Sequence, residues 1–168
     1  MIKKILLPVF ALALGLVSCE RDDDKYISTC PVIRDMTFKS VVTETDRIVA
    51  GEKFVATVEQ AQKGHLLYKA DYAWSDGRDE GIHKPTFTTL VYDSEPINPT
   101  DTIIFTNPGV HQVKLVAKYR ISGNPDYSVV RTQELVDGSV EYTVPSFLYY
   151  IVTVTKNVRV YKASSTQP

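Results

Sequence analysis

The stretch 105–119 reads FTNPGVHQVKLVAKY, and it leaves the chain few ways to fold. Asn107-Pro108-Gly109 is turn chemistry: the proline presets φ and the glycine accepts a positive one. Val113, Leu115, Ala117 and Tyr119 then fall on alternate positions, with Gln112, Lys114, Val116 and Lys118 between them. A period of two belongs to a strand with one face buried and the other mostly wet. The partner assigned to this strand is the segment that ends at Trp74, the single tryptophan of the chain. There Leu66, Tyr68, Ala70, Tyr72 and Trp74 share one parity, and the inward face is left open around Lys69-Ala70-Asp71.

Further strands are expected at 32–42 (broken near Asp35), 54–58, 102–105, and, as a short edge strand, 87–92. Pro96 and Pro99 bar 94–100 from a central strand. Segments 127–135 and 139–144 read as a hairpin closed at Asp137-Gly138. A long last strand over 148–160 carries Leu148, Tyr150, Val152, Val154, Val158 and Val160 on one face, interrupted at Lys156. No helical period appears in this part of the chain. At 168 residues, 43% hydrophobic and 23% charged, the composition is that of one globular domain with additions. Short strands without helical crossovers predict an all-β antiparallel sandwich or barrel.

The first residues follow a different rule. Lys3 and Lys4 precede an apolar run over 5–17, too short for a comfortable membrane span and followed by acids. The run ends Leu16-Val17-Ser18-Cys19, which resembles the lipobox of bacterial lipoproteins. The resemblance implies cleavage before Cys19 and acylation of that cysteine. Burial of acyl chains is worth about 0.8 kcal/mol per CH₂, and several chains together anchor durably. Glu20-Arg21-Asp22-Asp23-Asp24-Lys25 is too charged to pack on a core and reads as a solvated tether. It is either a plain spacer or, by its resemblance to the acidic export signal of some Gram-negative surface lipoproteins, a signal for the outer leaflet of the outer membrane. With Cys19 acylated, Cys30 has no intramolecular disulfide partner and reads as a structural thiol.

Trp74, Phe105, Pro108, Gly109, Val113 and Leu115, with GEKFVATV before them, resemble a PKD-type (polycystic kidney disease repeat) immunoglobulin-like domain. The resemblance covers about 32–122 and the last strand near 148–160. It implies that the tryptophan packs between two sheets and that the Pro-Gly corner leads into an alternating strand. Three features depart from the pattern: Ser75-Asp76-Gly77 follows the tryptophan, His111 stands where an aromatic is usual, and 124–146 is extra, an added hairpin before the last strand. The expected organisation is a signal peptide over 1–18, a lipidated acidic tether over 19–30, the sandwich over 31–163 and a frayed end over 164–168.

The chemistry-bearing residues form no catalytic pattern. Asp71, Asp76, Asp79 and Glu80, with His83, offer oxygen ligands, but the alternating Asp run around a glycine that calcium loops use is missing, so a solvated loop is expected. His65, His83 and His111 lack zinc-ligand spacing, and no Gly-x-Ser-x-Gly occurs. No cofactor motif is present. The formal charge is −1, and loss of Lys3 and Lys4 takes it to −3, with no basic run to suggest nucleic acid. Tyr127, Tyr142, Phe147, Tyr149 and Tyr150 flank the added segment and either form a partner patch for protein or sugar rings or cap an enlarged core. The function expected is non-enzymatic: an adhesion, scaffold or protein-binding module held on the outer membrane through Cys19, with a glycan-binding accessory lipoprotein beside a transporter or hydrolase as the alternative and a small secreted enzyme as the third class.

Overall fold

The computed structural model describes residues 26–75, the backbone of 87–89, and 98–164. Its strands in chain order are β1 (Ile27–Ser28), β2 (Val32–Ser40), β3 (Ile48–Val49), β4 (Lys53–Gln62), β5 (Leu67–Ser75), β6 (Phe87–Thr89), β7 (Thr100–Ile104), β8 (Gly109–Ile121), β9 (Asn124–Pro125), β10 (Arg131–Leu135), β11 (Gly138–Ser146) and β12 (Tyr149–Tyr161). Among the described residues there is no α-helix; the helical pieces are the 3-10 turn Tyr127–Val129 and a single 3-10 residue, Tyr26. The larger sheet runs β10-β11-β12-β8-β5-β6, and a smaller one runs β2-β4-β7. Pairing within both is antiparallel along these paths. The parallel exceptions are β3 on the end of β12, and β1 with β9.

The core forms where the inward parities of the two sheets meet. From β8 come Val113, Leu115, Ala117 and Tyr119; from β5, Ala70, Tyr72 and Trp74; from β12, Tyr150, Val152, Val154, Val158 and Val160. Met36, Phe54, Ala56, Val58 and Ile103 answer from the smaller sheet. Trp74 is 1% exposed and sits opposite Leu115, so the pairing expected between these two strands is the pairing found. At the corner, Gly109 has φ 140°, a conformation that a side chain would strain. Phe105 is stacked between Phe54 and the His111 ring, with centroids 5.5 and 4.2 Å away. The imidazole therefore fills an aromatic's place, and its Nε2 lies 2.8 Å from the Asn107 carbonyl.

Several expectations are corrected. The parity of the tryptophan strand holds from Ala70 onward, but a bulge between Leu67 and Lys69 turns Leu67 inward and leaves Tyr68 49% exposed. Leu66, just before it, has φ 50°. The last strand is not interrupted at Lys156: the ladder to β8 continues there, with Lys156 opposite Val113. Lys156 does stand at an inward position, and it is accommodated because its Nζ reaches the Asp35 carboxylate of β2 at 2.6 Å. Asp35 is where β2 carries irregular register, so the expected break becomes the place where the ion pair crosses between sheets. Residues 127–129 form the 3-10 turn instead of strand, and the hairpin ladder starts at Arg131. The packed body also begins before 31: Ser28 is fully buried and Cys30 is 6% exposed.

The β10–β11 hairpin extends the larger sheet beyond β12 and closes one side of the molecule. The Tyr142 hydroxyl accepts from the Ile33 N–H at 2.9 Å and donates to Gln133 Oε1 at 3.3 Å. The Gln133 amide in turn donates to the Ile33 carbonyl at 3.1 Å. This ring of polar contacts ties the hairpin to β2.

Candidate functional site

The described chain begins at Tyr26, at one pole of the body, and the geometry there is unusually well fastened. The ends of β5 and β8 meet at this pole, with Leu67 opposite Ile121, and β12 starts there, with Tyr149 opposite Arg120. The turn between β11 and β12 folds onto the same end, where Leu148 accepts from the Ile121 N–H at 2.9 Å. Ser28 is the fastener. Its hydroxyl donates to the Leu66 carbonyl at 2.9 Å and accepts from the Gly123 N–H at 3.0 Å. Leu66 O also accepts from the Ser122 N–H and hydroxyl, at 2.9 and 2.8 Å. Three donors on one carbonyl hold the left-handed backbone of Leu66, a conformation that persists only when its surroundings over-determine it. The buried Tyr150 hydroxyl donates to the Ser28 carbonyl and accepts from the Asp126 N–H at 2.7 Å. Thr29 and His65 exchange both backbone hydrogen bonds, each 3.1 Å.

The aromatic set is split by strand geometry. Tyr142 is 2% exposed and belongs to the core, with the Arg131 guanidinium over its ring at 4.9 Å. Tyr150 is also buried. Tyr127 and Phe147 project into solvent, 60% and 67% exposed, and Tyr149 is half-buried on the outer sheet face with Lys118 Nζ 3.9 Å above its ring. So Tyr127, Phe147 and Tyr149 gather at this pole and Tyr142 does not join them. Tyr26 and Leu148, 57% and 49% exposed, are additional apolar groups at this pole that the aromatic spacing alone did not single out. Gly123 is what brings Tyr26 to it: a Cβ there would meet the Tyr26 carbonyl at 2.3 Å.

A recess of about 240 Å³ lies beside the pole, lined by Cys30, Asp126, Arg131 and Tyr142 among others. It is smaller than the usual range for small-molecule sites, and its polar groups are engaged in structure. Asp126 caps the 3-10 turn through the Ser128 N–H at 2.9 Å, and Arg131 covers Tyr142. Burial pushes the Cys30 thiol from 9.0 up to about 12, against a smaller opposing pull from Arg131, so it carries almost no thiolate near neutrality. At the opposite pole Arg47 lies over Tyr161 at 5.1 Å beside an open depression of about 370 Å³, with Asp46 on its rim.

Of the oxygen-ligand set, Asp71 lies on β5 between Lys69 Nζ at 3.5 Å and Arg120 Nε at 3.9 Å. Asp76, Asp79, Glu80 and His83 lie outside the described residues, as does Cys19. Among the described residues no three His, Cys, Asp or Glu side chains gather as metal ligands would. Comparison with protein-family models, with curated proteins and with solved structures finds no match to this chain. What stands is an all-β architecture of antiparallel sheets, whose best-built polar feature fastens the start of the body.

Proposed function

We propose that this is a non-enzymatic surface lipoprotein: a β-sandwich of divergent PKD type, acylated at Cys19, that presents a protein-binding surface away from the outer membrane. The fold reading is supported by a buried Trp74 on β5, by Phe105 before the Pro-Gly corner, and by sheets that separate β2, β4 and β7 from β5, β8 and β12. The observation that carries the functional reading is the polarity of attachment. The chain comes in at Tyr26–Ser28 and is pinned there by Ser28 and Tyr150, so the opposite pole faces outward from any anchor at Cys19. That outward pole exposes Val42 and Val110, 70% and 63%, with Tyr161 and Arg47 beside them. Apolar groups rimmed by polar ones suit a protein partner.

A photo-crosslinking residue placed at Val42 or Val110 in living cells should capture one recurrent protein, and the same residue at Thr153, mid-sheet, should not. No recurrent product at either position, together with saturable binding on a glycan array, would replace this reading with that of a glycan-binding accessory. Protease treatment of intact cells should remove the body if it lies on the outer face.

A further inference from the structure

We infer that the tethered pole is itself a membrane-docking surface: it seats against the lipid bilayer through its exposed aromatic and aliphatic side chains. The inference rests on the proposed anchor at Cys19. Tyr26, Tyr127, Phe147 and Leu148 project from this pole, 57%, 60%, 67% and 49% exposed. Tyrosine and phenylalanine with an aliphatic neighbour are the side chains that settle at the headgroup level, where an apolar ring and a polar tip both find partners. Lys69, Lys118 and Arg120 stand on the adjoining strand ends, but Asp71 lies between Lys69 and Arg120, and the acidic run Glu20–Lys25 directly precedes Tyr26 in the chain. The pole therefore seats through its apolar and aromatic side chains, not through net charge.

The length of chain before the body selects this occupant. Seven Cα steps separate Cys19 from Tyr26, which span at most about 25 Å fully extended. A body pinned at Tyr26–Ser28 cannot carry this pole far from the anchored lipid. Docking is then an intramolecular event at high effective concentration, so a few exposed side chains suffice.

The test uses protein purified from the membranes of expressing cells and placed in vesicles of phosphatidylcholine. Its intact mass reports whether Cys19 is acylated. If it is not, the same protein is coupled through the Cys19 thiol to a maleimide lipid, the buried Cys30 staying unreacted. Loss of the lipoprotein reading therefore leaves the docking test intact. Amide hydrogen exchange over 122–130 and 146–149 should slow about tenfold relative to the Cys19→Ser protein free in solution, as expected when the docked population exceeds the free one by about that ratio. Exchange over 41–47 should not change. Phe147→Ser with Leu148→Ser, both at exposed positions, should abolish the slowing. Unchanged exchange at the pole on the vesicles, or slowing that the double variant retains, would overturn the proposal.

Discussion

Single residues in this molecule show how burial sets chemistry. The Cys30 thiol is held protonated by its surroundings to about pH 12, while the same thiol in the unfolded chain ionises near 9.0. The unfolded state therefore releases its proton first as pH rises, and alkaline solution favours it. Stability from this group is complete below pH 9 and falls by about 1.4 kcal/mol per unit above it. Burial also raises Tyr72, Tyr119, Tyr142 and Tyr150, which steepens the loss further up the scale. Melting temperature should hold level to about pH 8.5 and then drop, and Cys30→Ala should move the onset upward. A maleimide reagent should leave native Cys30 unlabelled and react after unfolding.

The Lys156–Asp35 pair is lopsided, with side chains 13% and 34% exposed. Asp35→Ala strands a mostly buried ammonium and should cost about 2–3 kcal/mol, below the range for fully buried pairs because the site keeps some water. Lys156→Met leaves a carboxylate that water still reaches and should cost about 1 kcal/mol or less. Denaturant titration of the two variants would read the asymmetry directly; equal losses would mean that stranding the ammonium carries no extra penalty.

At the level of elements, the period-two pattern made β8, β5 from Ala70 onward and the added hairpin legible in advance. Alternation also contains the signal that separates Tyr149 from Tyr150 and places Tyr142 with Val140 inside. What it does not contain is the bulge at Leu67–Lys69, because the left-handed Leu66 that precedes it is held by hydroxyls from Ser28 and Ser122, far away in sequence. Nor does it contain the partner of Lys156. A charge at an inward position reads as a break until the opposing carboxylate is known, and Asp35 lies 121 residues away.

Two variants address these elements. Ser28→Ala leaves the Gly123 N–H without its acceptor and should cost about 1–3 kcal/mol, with hydrogen exchange speeding up first at 26–30 and 122–126. Gly138→Ala would drive a methyl into the Thr155 carbonyl, 2.2 Å from where its Cβ must lie, and should loosen the hairpin from β12 at a cost of about 2 kcal/mol or more. Faster amide exchange over 131–146 would report that loosening.

At the scale of the whole molecule, Trp74 serves as the reporter of sheet-on-sheet packing. Its indole is 1% exposed, so emission should be blue-shifted in the native state and move red in one cooperative step on unfolding. Trp74→Ala should remove about 3–5 kcal/mol. The strand beside that core has a further property. β12 is paired along β8 on one side, and on its other side β11 covers the first part and β3 the last. Neither flank of β12 is therefore free to recruit a foreign chain. The added hairpin, whatever else it does, acts as a guard: replacing 123–147 with a tight turn would bare most of one flank, and the shortened protein should self-associate through it in a concentration-dependent way visible by light scattering.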